Sequence, residues 1–135
     1  MSMVYVMQAD NGELKIGWSG APYARLSKVK GEYGPRRGFV DLRLVGMVRT
    51  AAFIETEILV HARVAAAATG GEWYRMDAED ALATALDVAL QLDSDAAIVR
   101  PQQSRKALPR AARVGCRIGT ALGMDSMPAG ADSRL

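Results

Sequence analysis

The chain has 135 residues, 50% hydrophobic and 24% charged, with 17 Lys and Arg against 15 Asp and Glu, a net charge of +2 and a mean hydropathy of zero. That length holds one domain with a sizeable core, or a smaller domain and a tail, and excludes two full catalytic domains. Charges or glycine interrupt every apolar stretch before the roughly 20 residues of a membrane span, and the start lacks the basic and apolar regions of a secretory signal, so a cytoplasmic location is expected.

Two short apolar runs, Val4-Tyr5-Val6-Met7 and Leu14-Lys15-Ile16-Gly17-Trp18, flank Asp10-Asn11-Gly12, a strong hairpin signal. A two-residue turn at Asn11-Gly12 would set Val4 and Val6 beside Lys15 and Gly17. A three-residue loop with Gly12 as its left-handed residue instead places Val4 and Val6 with Leu14 and Ile16. The apolar pattern selects the second register, because a slip of one residue exchanges the faces. Tyr5, Met7, Lys15 and Gly17 then share the opposite face.

Pro22 suits a first helical turn, and the spacing of Leu26 and Val29 predicts a helix over about 21–30, with Arg25 beside that stripe. The glycine-rich segment 31–38 reads as a loop. Phe39 to Val48 reads as a strand, with Val40, Leu42 and Leu44 alternating and Met47 a further apolar position. Thr50 is the expected N-cap of a helix to about Ala68, closed by Gly70-Gly71, with Ile54, Ile58, Ala62 and Ala65 inward. On that helix Glu57 and His61, four apart, meet on a neighbouring face, while Glu55 points elsewhere. Asp77 is the expected N-cap of a last helix to about Leu92, with Leu82, Leu86, Ala89 and Leu90 inward. These elements make an α/β (α+β) domain over residues 1–95. It has a small central antiparallel sheet of about three strands flanked by about three helices. Residues 96–135 read as a basic, proline-containing, flexible tail with one weakly signalled helix over 108–122.

The small net charge hides an uneven distribution: +3 over residues 1–76, −5 over 77–100 and +4 over 101–135. Cys116 is the only cysteine and His61 the only histidine, which excludes a disulfide framework and a zinc finger or ribbon. A metal would be held mostly by oxygen ligands, which favours Mg²⁺ or Mn²⁺.

The order of motifs resembles the GIY-YIG endonuclease superfamily. A hairpin carries Val4-Tyr5-Val6 and Lys15-Ile16-Gly17, Arg25 follows eight residues after Gly17, and Glu57 lies on a later helix. The resemblance is closest to a small-domain subgroup with a Lys-Ile-Gly second motif, a Glu-x-x-x-His helix (Glu57, His61) and a following Gly71-Glu72-Trp73-Tyr74. It covers roughly residues 3–92 and implies metal-assisted hydrolysis of a nucleic-acid phosphodiester, with DNA the expected substrate. Glu57 would be the metal ligand for Mg²⁺ or Mn²⁺, and Arg25 would hold the scissile phosphate. Tyr5 would contact or activate the attacking water. A phenol ordinarily titrates near 10, so acting as a base at neutral pH requires positive charge nearby. Lys15 stands where the name-giving pattern has a second tyrosine, and the hairpin register puts it on the face of Tyr5, where a cation would favour phenolate.

His61 could orient Glu57, contact phosphate or shuttle a proton, or be structural. Trp73 and Tyr74 read as anchors at the core edge, with stacking on a base as the alternative. Lys28, Lys30, Arg36, Arg37 and Arg43 are candidate phosphate contacts beside the site, against the alternative of a solvated surface. The rival to an enzyme is an inactive domain of the same fold that binds DNA or protein.

Overall fold

The computed structural model describes residues 2–102. The hairpin is β1 (Met3–Ala9) and β2 (Leu14–Ser19), paired Tyr5 to Gly17, Val6 to Ile16 and Met7 to Lys15. Its loop has three residues: the Ala9 N–H donates to the Glu13 carbonyl at 2.8 Å, and Gly12 has φ +93°. A β-carbon is strained at that φ, so the loop requires a glycine there. The expected register is the observed one.

α1 (Pro22–Arg37) is longer than expected, and the predicted loop over 31–38 is its second half. The helix continues because Leu26, Val29 and Tyr33 keep meeting the sheet at helical spacing, and because its last residue is anchored. The Arg37 carbonyl accepts from Asn11 Nδ2 at 2.9 Å and its guanidinium pairs with Glu13 at 3.1 Å. Pro35 lies in the last turn, and the helix ends at Gly38, whose N–H donates to the Gly34 carbonyl.

β3 (Leu42–Arg49) pairs with the other side of β1. Val6 opposes Gly46 while Met7 opposes Leu44, so Val45 is an extra residue in a bulge. The bulge changes the parity of the strand, which is why Leu42, Leu44 and Met47 all face one core layer. Val40, expected as an apolar position of the strand, precedes it and is 82% exposed.

α2 (Phe53–Arg63) starts later and ends earlier than expected. The Thr50 hydroxyl oxygen accepts from the Ala52 N–H at 3.1 Å and the hydroxyl donates to Asp93 at 2.9 Å, so Thr50 shapes the approach to the helix rather than capping it. Its buried face is Thr56, Val60 and the following Val64, with Phe53 packed beside them. The expected stripe is turned outward by close to half a turn: Ile54 and Ile58 are 47% and 59% exposed, and Ala62 and Ala65 are exposed too. The alanine run does not prolong the helix. A single 3₁₀ turn over Ala65–Ala67 leads into β4 (Ala68–Gly70), which pairs with β5 (Trp73–Tyr74), so strand pairing overrides alanine's helix propensity.

α3 (Ala78–Leu92) is capped as expected, the Asp77 carboxylate accepting from the Asp80 N–H at 3.0 Å. It buries Ala81, Leu82, Ala85, Val88 and Ala89, while Leu86 is half-buried and Leu90 is exposed. Each large apolar side chain buried here contributes about 1.5–3 kcal/mol. β6 (Ala97–Val99) then pairs with the end of β3, and Arg100 clasps Glu79 at 2.8 Å. The folded unit therefore runs to Pro101, past the boundary expected at residue 95. The helix expected over 108–122 lies outside the described residues.

Among the described residues the sheet has six antiparallel strands in the order β4-β5-β2-β1-β3-β6, the three expected strands being its centre. Val4, Val6, Leu14, Ile16 and Val48 pack against α2 and α3 on one face. Tyr5, Met7, Leu42, Leu44 and Met47 pack with α1, Phe39 and Trp73 on the other. Among the described residues no helix is long and apolar enough to cross a membrane.

Candidate active site

β5 pairs with β2 only at Leu14 and Lys15, so the second half of β2 has no strand on that side. There the fold leaves a cleft of about 330 Å³, lined by Gly17, Trp18, Ser19, Gly20, Tyr5, Arg25, Glu57 and Glu72. Each wall follows from a local choice of residue. The Ser19 hydroxyl oxygen accepts from the Ala21 N–H at 3.0 Å and turns the chain, Pro22 opens α1, and Arg25 follows within its first turn. From the other face α2 supplies Glu57, and the Trp18 and Phe53 rings meet at 4.7 Å where β2 and α2 touch.

Tyr5 forms the floor. It is fully buried, and its hydroxyl has no hydrogen-bond partner. Its ring lies over Gly17, where a β-carbon would stand 2.6 Å from the phenolic oxygen. Only glycine permits that approach.

Of the five side chains expected at the site, Tyr5, Arg25 and Glu57 line the cleft. Arg25 is exposed and has no ion-pair partner among the described residues. Lys15 shares the face of Tyr5, as the register required, but its buried amine is engaged by Glu72 Oε1 at 2.6 Å. It reaches the cleft through Glu72. His61 reaches it through Glu57, with Nε2 3.5 Å from Glu57 Oε2.

Sequence reasoning gave no role to Glu72 or to the Tyr74 hydroxyl. Trp73 and Tyr74 are buried anchors on opposite faces of β5, as expected, yet Tyr74 also shares a short hydrogen bond with His61 Nδ1. Burial, then the charges of Glu72 and Glu57, pushes the Tyr74 phenol above its ordinary range, so it stays protonated. The only signal in the chain was the Gly-Glu-Trp-Tyr motif itself, in which alternation puts Glu72 and Tyr74 on one side.

The basic candidates divide. Lys28 lies one helical turn beyond Arg25 and is exposed. Lys30 pairs with Asp41 at 3.3 Å, Arg36 sits 5.7 Å from the Tyr33 ring centre, and Arg43 reaches Gln8 at 3.5 Å. Arg37 binds Glu13 and Thr69 and stacks 5.0 Å above Trp73, so it works inside the fold. Arg36 and Arg37 end α1 roughly 16–18 Å along the axis from Arg25, which places them away from the cleft rather than beside it.

Among the described residues, an antiparallel sheet with one helix on one face and two on the other, opening a polar cleft at a strand end, defines a small α+β domain with its candidate site on the sheet edge. The chain belongs to the T5orf172 domain family, whose model matches residues 2–89. That family is compatible with a nuclease or DNA-binding role and is associated with nucleic-acid interaction. No curated protein and no solved structure matches the chain.

Proposed function

We propose that the domain is a metal-dependent endonuclease of the GIY-YIG type, hydrolysing phosphodiester bonds of nucleic acid, with DNA as substrate. The observation that carries this reading is the convergence of Tyr5, Arg25 and Glu57 on one cleft from β1, α1 and α2. Side chains so far apart in sequence have no packing reason to meet around open space.

The donors present fit a divalent ion: Glu57 offers a carboxylate, with His61 and Glu72 close by. Mg²⁺ or Mn²⁺ held by Glu57 would neutralise charge on the phosphate and the leaving oxygen. Arg25 binds the scissile phosphate through charge-assisted hydrogen bonds. The orphaned Tyr5 hydroxyl takes the attacking water as its missing partner and orients it. Lys15 holds Glu72 at the cleft and keeps positive charge beneath it.

The second reading, a non-catalytic binding domain, is favoured by one observation: the Lys15 charge is matched by Glu72 instead of standing free beside Tyr5. A nuclease assay with Mg²⁺ or Mn²⁺ on supercoiled, linear and single-stranded DNA and on RNA separates the two. Cleavage by the wild type that Glu57→Ala abolishes supports the enzyme. No cleavage, or equal cleavage by the variant, supports the binding domain.

A further inference from the structure

One ligand atom each from Glu57, His61 and Glu72 lies within 4.8 Å of the others. We infer that these three residues together form a mixed nitrogen and oxygen site for a first-row transition-metal dication, Mn²⁺ in preference to Mg²⁺. The inference rests on the proposed function only for the importance of the cleft, and it stands or falls by metal binding alone.

The spacing suits an ion. Two ligands on opposite sides of a dication at about 2.1–2.2 Å stand about 4.3 Å apart, so small rotamer adjustments bring all three atoms into range. Each candidate ligand is already oriented by a neighbour. Lys15 holds Glu72 by Oε1 alone, leaving the second carboxylate oxygen outside that ion pair. Tyr74 engages His61 at Nδ1, and Nε2 is buried without a hydrogen-bond partner.

That arrangement is the one a metal-ligating imidazole needs. With the proton on Nδ1, the Tyr74 oxygen accepts it and Nε2 presents its lone pair towards Glu57. A second, independent observation is Tyr5, fully buried, with its unpartnered hydroxyl at the same cleft. An ion-bound water or a phosphate oxygen would satisfy it.

The donor set decides the metal. Mg²⁺ takes oxygen ligands and keeps much of its water, whereas imidazole raises affinity for Mn²⁺ and the later metals. Lys15 pairs with Glu72 and Arg25 lines the same cleft, so the site carries little net negative charge and a hard cation that relies on charge alone gains little.

The test uses the single histidine. In the full chain labelled with ¹⁵N-histidine, every ring signal belongs to His61. Zn²⁺, a diamagnetic stand-in, is expected to shift the Nε2 resonance while Nδ1 stays protonated. Mn²⁺ is expected to broaden the ring signals at a concentration at least tenfold below that of Mg²⁺ needed to displace it. Glu72→Gln is expected to weaken Mn²⁺ binding by at least tenfold in titration calorimetry, with its far-ultraviolet dichroism unchanged. A Nε2 resonance that does not move at saturating Zn²⁺, or equal Mn²⁺ affinity in Glu72→Gln, overturns the site. Ligation by His61 without cleavage of any nucleic acid would keep this site and remove the nuclease reading. Cleavage with an unperturbed His61 would do the reverse.

Discussion

The ring of Tyr5 lies so close over Gly17 that a β-carbon there would stand 2.6 Å from the phenolic oxygen. The glycine of the second hairpin motif therefore serves the tyrosine of the first, and the two are paired across the strands. Gly17→Ala is expected to push the phenol out of place and cut cleavage by about 100-fold, the usual cost of a 1 Å misplacement. It should also cost about 1–3 kcal/mol through overpacking. Cleavage rates and urea melts measure both. Wild-type cleavage by this variant would show that the position of the hydroxyl is unimportant.

Tyr5→Phe separates stability from activity. The hydroxyl is buried and unpartnered, so removing it should leave stability unchanged or raise it by about 1 kcal/mol, whereas cleavage should fall by at least about 100-fold. A loss of stability in thermal melts would mean that the hydroxyl has a partner in solution.

Arg25 and Arg37 should behave as opposites. Arg25→Ala is expected to reduce the slope of log affinity against log salt by about one, with little change in stability. Arg37→Ala should leave that slope alone and destabilise the fold by about 1–3 kcal/mol, because it strips Glu13 of its bond and uncovers Trp73. DNA-binding titrations at several salt concentrations, with parallel urea melts, test the contrast.

Glu13 gives the fold an acid sensitivity of known sign. Burial raises its carboxyl, but hydrogen bonds from Arg37 and Thr69 and the charges of Arg37 and Arg75 outweigh that and hold it below its ordinary value. Its contribution is therefore fully present above the unfolded-state value, near 4.3–4.5, and is lost as pH falls through the lower folded-state value. Glu13→Gln should lower stability at pH 7 and flatten the decline below about pH 4.5. Denaturation midpoints across pH 2.5–7 would refute this if the two proteins lost stability in parallel.

The hairpin was legible because a period of two leaves only one register that buries Val4, Val6, Leu14 and Ile16 together, and that register also set Tyr5 opposite Gly17. The length of α1 was hidden by Gly31, Gly34 and Pro35, which read locally as a loop although Tyr33 and Arg37 hold the helix from outside it. The face of α2 was misread for a related reason. Ile54 and Ile58 are its more apolar residues, but the sheet takes Thr56 and Val60, which carries Glu57 and His61 to the cleft side. Locally, Glu72 is only one letter of a Gly-Glu-Trp-Tyr motif. Its meeting with Lys15, 57 positions away, depends on a pairing of β5 that no local pattern encodes.

That pairing stops after Lys15, while β2 continues to Ser19. Beyond Ile16, whose N–H still donates to the Glu72 carbonyl at 3.3 Å, the ladder direction turns the main chain of Trp18 towards the open edge. The opening is thus a matter of strand length. A β5 lengthened by two residues would draw Glu72 and Gly71 into the ladder and cover it, and trimming the turn before Trp73 would widen it. In this domain the dimensions of the site are set by a count of paired residues, so insertions and deletions near Gly71 would reshape it more readily than substitutions within it.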